Sequence, residues 1–286
     1  MQLLTYRSGT QTRLGVVEGD QVIDLNQAQP QVPADLLAAL AAGVDVLAAA
    51  KAALASNAPR IPRAGLKIAA PVPRPGKIIC LGLNYFDHAK EGGREKPDYP
   101  WFFFRGATSL IAHGESGIRP RVSERFDYEA EQAVVIGKNA RHLTQANALD
   151  CVFGYSCFND MSVRDYQKKT PQWTIGKNFD GTGGFGPVLV TADELPAGAS
   201  GLHIESRLNG KVMQSANTSD MIWGVAETIA LLTECMTLEP GDVIIMGTPA
   251  GVGQARTPPV WMKHGDTIEI EIERVGLLSN PIRDEG

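Results

Sequence analysis

The sequence predicts an α+β fold that is predominantly β, built as a small N-terminal α/β module followed by a larger strand-rich domain. Three observations carry this. Short apolar runs of strand length recur along the whole chain, helical periodicity is confined to a few stretches, and a proline-rich segment divides the two parts.

Within residues 1–70, Leu3–Arg7, Arg13–Val17 and Gln21–Leu25 read as short strands separated by glycine-containing turns. Asp35–Ala55 then places Leu36, Leu40, Val44, Leu47 and Leu54 at helical spacing, interrupted near Gly43. From Pro59 to Pro75 prolines are frequent and remove backbone donors, so a boundary is expected there, with a second domain over residues 71–286. In that domain Lys77–Leu81, Gln132–Ile136, Pro187–Val190, Asp242–Met246 and Thr267–Ile272 read as strands. The last alternates strictly, which implies one wet face. One helix is expected after Thr144. Another is expected over Met221–Met236, with Ile222, Val225, Ile229 and Leu232 on one side. No repeat of solenoid length is visible.

The chain has 286 residues, a formal charge of −5 and a pI near 5.6, a balance that argues against a nucleic-acid or anionic-membrane surface. It does not exclude an anionic small molecule, because a metal or a lysine supplies positive field locally. Met1–Gly19 lacks an apolar core behind a basic head, and Leu36–Ala55 is too polar to span a bilayer. The four cysteines show no Cys-x-x-Cys pair and are expected as buried, reduced thiols of a cytoplasmic protein.

Chemistry concentrates in Phe126–Glu131, where Asp127, Glu129 and Glu131 lead into an apolar strand. Residues two apart on a strand share a face, so Glu129 and Glu131, or Asp127 and Glu129, can turn toward one ion. Carboxylates crowded on one face repel, and a hard cation such as Mg²⁺ or Mn²⁺ relieves this. An exposed acidic strand shows the same alternation, and spacing does not choose between the two pairs. Asp160 follows the apolar run Val152–Phe158 and suits a strand end, although its neighbours also fit a helix N-cap. Gly181–Gly186 satisfies the dinucleotide pattern Gly-x-Gly-x-x-Gly. That motif needs a helix after it, and Pro187 with an apolar strand follows instead, so nucleotide binding is not expected.

Gly82–Tyr85 with His88 and Glu91, Asp127–Glu131, Asn159–Asp165, Gly176–Lys177, Glu239–Asp242 and Gly247–Gly253 occur in this order and spacing. Together these segments resemble the fumarylacetoacetate hydrolase family over Lys77 to about Asp266. The resemblance implies a distorted β-roll catalytic domain, a homodimer, and Glu129, Glu131 and Asp160 as ligands of Mg²⁺ or Mn²⁺, with Asp127 behind them. It implies that His88 and Glu91, on a short helical lid, form a water-activating dyad, that Lys177 stabilises developing negative charge, and that Tyr85, Arg164, Gln167 and Thr248 position substrate. Two departures stand out: Arg105–Gly106, where lysine and a bulkier residue are frequent, and the lid's own composition (Lys90, Gly92, Gly93, Arg94, Glu95, Lys96). Both are expected to meet the substrate tail and to leave the metal site untouched.

The expected reaction is metal-dependent hydrolysis of a C–C bond in a 2,4-dioxo acid, whether an acylpyruvate, a fumarylpyruvate or a 2,4-diketo-3-deoxy sugar acid, giving pyruvate and a carboxylic acid. The alternative is decarboxylation or isomerisation of a 2-oxo dicarboxylate of the oxaloacetate or 2-hydroxyhepta-2,4-diene-1,7-dioate type. A non-catalytic metal-binding protein is the alternative of another class.

Overall fold

The computed structural model describes residues 1–93 and 95–286; Arg94 of the lid lies outside the described residues. The N-terminal strands Gln2–Ser8, Gln11–Glu18 and Gln21–Asp24 form an antiparallel meander, and Arg60–Pro62 pairs at its edge, where a proline's missing donor matters least. The alanine-rich stretch splits around Gly43 into helices Leu36–Ala41 and Val46–Leu54. Each starts on an aspartate, Asp35 or Asp45, whose carboxylate accepts the N–H of Ala38 or Ala48. Their buried faces pack on Leu3, Leu14, Val16 and Ile23.

Gln2–Ser8 also pairs with Gly183–Thr191, so one twelve-stranded sheet runs from the N-terminal residues into the rest of the chain. Beyond Gly183–Thr191 the order is Val152–Asp160, Ala130–Ile136, Val243–Ile245, Ile78–Gly82 and Trp101–Phe104. The strand Ala130–Ile136 is central and buried throughout, because its alternate residues enter two cores. Val134 and Ile136 face a second, five-stranded sheet through Ile204, Ile268 and Ile270, whereas Ala133 and Val135 belong with the N-terminal apolar set. Thr267–Ile272 buries Ile268, Ile270 and Ile272, while Arg207 spans Glu269 and Glu271 on its wetter face at 3.1 and 2.7 Å.

The structure corrects several local expectations. After Thr144 there is only a 3₁₀ turn, Ala148–Cys151, because the strand beginning at Val152 takes over at once. The helix expected from Met221 runs Val225–Cys235; Ile222 precedes it, its N–H held by the Asn84 carbonyl at 2.7 Å. Cys80, Cys151 and Cys157 are buried free thiols, but Cys235, at the end of that helix, is exposed. Gly183–Thr191 is a strand, as the following proline indicated. No described helix is long and apolar enough to cross a membrane.

Candidate metal and acid–base site

The carboxylates converge through strand register. Ala130–Ile136 and Val152–Asp160 pair antiparallel with Ala130 opposite Asn159, and the Asp160 N–H donates to the Glu129 carbonyl at 3.0 Å. The start of one strand therefore meets the end of the other. Glu129, Glu131 and Asp160 are 5 %, 1 % and 0 % exposed, and each offers an oxygen within 4.8 Å of the others. Asp127 turns elsewhere. It accepts the N–H groups of Tyr128, Gly253 and Gln254 at 2.9, 2.7 and 3.0 Å, and Arg164 Nε at 2.8 Å. Asp160 is not a helix cap; the next helix, Arg164–Gln167, starts from Val163.

Three buried cations surround the acids. Lys177 Nζ lies 2.5 Å from Glu129 Oε2 and also contacts Asp160 Oδ2. Arg164 Nη2 is 2.7 Å from Glu129 Oε1, an ion pair out of line for a hydrogen bond, and its Nη1 donates to Gln167 Oε1 at 3.0 Å. Arg105 pairs with Asp160 Oδ1 and donates to the Met161 carbonyl at 2.6 Å. This overturns the expectation that Arg105 leaves the acidic cluster untouched: it follows directly on the strand Trp101–Phe104, which carries its guanidinium under Asp160. Gly106 does stay exposed, its N–H bonded to Asn178 Oδ1 at 2.5 Å.

Charge sorts the three acids. Burial works to raise the Glu129 carboxyl, yet Arg164 and Lys177 outweigh it and hold that group well below the usual range. Glu131 has the Gly247 N–H at 2.6 Å and no ion-pair partner among the described residues. Its carboxyl is pushed well above the ordinary value, first by burial and then by Asp160 and Glu129. Burial would lower the Lys177 ammonium, but Asp160 and Glu129 keep it raised and charged. A hard divalent cation fits this donor set. The oxygens converge, all three are carboxylates, and the one acid without a counter-charge is where added positive charge relieves most repulsion.

Two glycines make the geometry possible. Gly247 has φ +87°, and a Cβ there would meet Asn84 Cβ at 2.7 Å, so only glycine brings this N–H to Glu131. A Cβ on Gly176 would meet the Gln167 backbone nitrogen at 2.3 Å; its absence lets the short helix Thr174–Lys177 pack on Arg164–Gln167 and deliver Lys177 inward.

A cavity of about 610 Å³ opens onto these groups, in the range of small-molecule sites. Glu129, Glu131, Asp160, Lys177, Arg164, Gln167, Thr248, His88 and Glu91 all line it, so most of the residues singled out by sequence come together. His88 Nδ1 lies 2.8 Å from Glu91 Oε1 on the helix Phe86–Glu91, and Glu91 Oε2 accepts the Gly251 N–H at 2.9 Å. Thr248 Oγ1 accepts from Gln214 Nε2 at 2.7 Å. Tyr85 is placed differently. It starts the lid helix, is 2 % exposed and lies outside the described cavity wall, its hydroxyl without a hydrogen-bond partner among the described residues. Burial, then Glu131 and Asp220, raises that phenol. Gln214 and the stacked pair Trp101–Trp173, 5.2 Å between centroids, are site residues the sequence did not mark, and Arg105 was marked but given another role. Only the unusual arginine at 105 gave a signal.

The chain is 40 % identical over 265 residues to "Oxaloacetate tautomerase Fahd2a, mitochondrial" of Rattus norvegicus, covering 92 % of this chain and 84 % of that protein. The fumarylacetoacetate hydrolase of Exiguobacterium antarcticum superimposes with a TM-score of 0.86 at 36 % identity over all of both chains. The maleylpyruvate hydrolase of Sphingobium sp. SYK-6, solved with manganese(II) and pyruvate, superimposes at 0.83 and 30 % identity, again over all of both chains. The family described as fumarylacetoacetate (FAA) hydrolase C-terminal matches residues 77–283, and this chain belongs to that family.

Proposed function

We propose that this protein is a keto–enol isomerase of a small 2-oxo dicarboxylic acid of the oxaloacetate type, in place of the C–C bond hydrolase that its dyad and family alone favour. The observation that carries the reading is the 40 % identity to an oxaloacetate tautomerase across 92 % of this chain. Tautomerisation also asks for no side chain of the chain beyond those lining the cavity.

A Mg²⁺ or Mn²⁺ held by Glu129, Glu131 and Asp160 supplies Lewis-acid polarisation of a 2-oxo acid head. The chain's own residues do the rest. His88, with Nδ1 fixed by Glu91, presents its other ring nitrogen for proton transfer. In the keto-to-enol direction a C3 proton passes to that nitrogen, the C–H electron pair becomes the C2–C3 double bond and the C2–O π pair moves onto oxygen; that oxygen takes a proton from water, and His88 returns its proton to the hydroxide left behind. Lys177 offsets the negative charge growing on the C2 oxygen. Arg164, with Gln167 on its Nη1 edge, and Thr248 orient the carboxylates.

The test follows the enol absorbance of freshly dissolved oxaloacetate with Mn²⁺-loaded protein, beside pyruvate release from acetylpyruvate and from oxaloacetate. Faster enol decay without pyruvate supports isomerisation. Pyruvate from acetylpyruvate with no effect on the enol returns the protein to the hydrolases.

A further inference from the structure

Beside the main cavity lies a second one of about 300 Å³, lined by Arg125, Arg164, Lys168, Gln254, Pro259 and Trp261. Arg164, Lys168 and Gln254 line both cavities, so the two share a wall. Among the described residues the lining holds three cations and no carboxylate. Arg125 is placed there by the ladder that builds the site. Phe126–Asp127 pairs with Ser162–Val163, and the Arg164 N–H donates to the Arg125 carbonyl at 3.0 Å.

Arg164 is committed to Asp127, Glu129 and Gln167. The Arg125 guanidinium, by contrast, makes no ion pair or side-chain hydrogen bond with the described residues. The closest acids in sequence do not quench it: Glu124 is exposed and Asp165 accepts from Ser123 Oγ at 2.6 Å. Gln254 is fixed through its backbone N–H on Asp127, while its side-chain Oε1 is buried without a partner. Such an amide can turn its NH₂ to an acceptor. Trp261 and Pro259 add an apolar side on which a methylene chain can lie.

We infer that this side cavity is a carboxylate subsite for the far end of an elongated 2-oxo dicarboxylate whose 2-oxo acid head sits at Glu129, Glu131 and Asp160. The inference rests on the reading of the main cavity as a 2-oxo acid site and extends the substrate class beyond oxaloacetate. A planar guanidinium beside an amide and an ammonium suits a carboxylate, which accepts several donors at once.

Calorimetry on Mn²⁺-loaded protein tests it without relying on turnover. The ligands are 2-oxoadipate and 2-oxopimelate against 2-oxohexanoate, which keeps head and chain but lacks the distal acid. A charge-assisted contact of this kind should make the dicarboxylates bind roughly tenfold tighter or better. R125Q should remove that difference without weakening 2-oxohexanoate, and R125K should restore part of it. Equal binding of the two ligand types, or a preference that survives R125Q, overturns the subsite while leaving the head site intact. Inorganic phosphate that binds through Arg125 without competing with 2-oxoadipate assigns the cavity to a separate anion and also overturns it. Failure of every 2-oxo acid to bind, 2-oxohexanoate included, defeats the reading of the main cavity as well.

Discussion

Arg164 Nε donates to Asp127 Oδ2 at 2.8 Å, with both side chains buried, the arginine 3 % and the aspartate 0 % exposed. Asp127 thereby holds the cation that faces Glu129 and, through two further N–H groups, the Gly253–Gln254 turn. Asp127→Ala strands these donors and removes one of the two carboxylates that pair the buried Arg164, leaving only Glu129, and should cost about 3–5 kcal/mol of stability. Denaturant unfolding measures it; a loss under about 1 kcal/mol would show that water replaces the carboxylate readily.

Glu131→Gln should separate metal affinity from stability. The acid is buried without a counter-charge, so the metal-free variant should unfold later than metal-free wild type, by about 1–3 kcal/mol. The stabilisation that Mn²⁺ gives wild type, about 2.7 kcal/mol at a hundredfold excess over Kd, should disappear. Thermal unfolding with and without Mn²⁺ reads both. A variant that keeps the Mn²⁺ shift excludes Glu131 as a ligand.

His88→Asn should lower turnover roughly 10²–10⁴-fold while oxalate binding to the Mn²⁺-loaded protein is kept. Glu91→Gln should lower it less, because glutamine still offers an acceptor to either His88 or the Gly251 N–H but loses the charge. Loss of oxalate binding in His88→Asn would move the histidine from proton transfer to ligand binding.

Arg105→Ala leaves Asp160 paired only with Lys177 and should weaken Mn²⁺ binding about tenfold or more, by analogy with other groups that orient metal ligands. Arg105→Lys keeps the charge but cannot span Asp160 and the Met161 carbonyl together, so an intermediate affinity is expected. Titration with Mn²⁺ distinguishes the three proteins, and equal affinities would make Arg105 a scaffold residue only.

A pH effect far from the site follows from Asp24. Burial raises its carboxyl, but hydrogen bonds from Arg13, Tyr6 and the Gln27 N–H outweigh burial and hold it below its ordinary 3.8. A depressed acid contributes stability that is present above 3.8 and lost as pH falls through the folded-state value. Asp24→Asn should therefore be less stable than wild type at neutral pH, and the gap should close on acidification below 3.8. A gap independent of pH would assign the effect to shape alone.

Much of this protein was legible in its residues because the relevant signals are local. Proline and glycine mark where strands and helices stop, so Gly43 divides one alanine-rich helix into two and Pro187 rules out the helix a nucleotide fold requires. Strict alternation over Thr267–Ile272 announced its half-wet face. Periodicity overreached at Ile222, which precedes the helix and whose N–H is held by the distant Asn84 carbonyl, a contact invisible in the sequence.

By itself the sequence offered two pairs that period-two side-chain direction can turn to one side, Glu129 with Glu131 or Asp127 with Glu129. It left open which pair gathers the third acid. Tertiary structure decided this, because cross-strand register sets Asp160 against Glu129 while the turn at Gly253 claims Asp127. The roles of Arg105 and Arg125 were likewise out of reach. Which charges neutralise one another depends on distances between chain segments, and no pattern within a single segment encodes them.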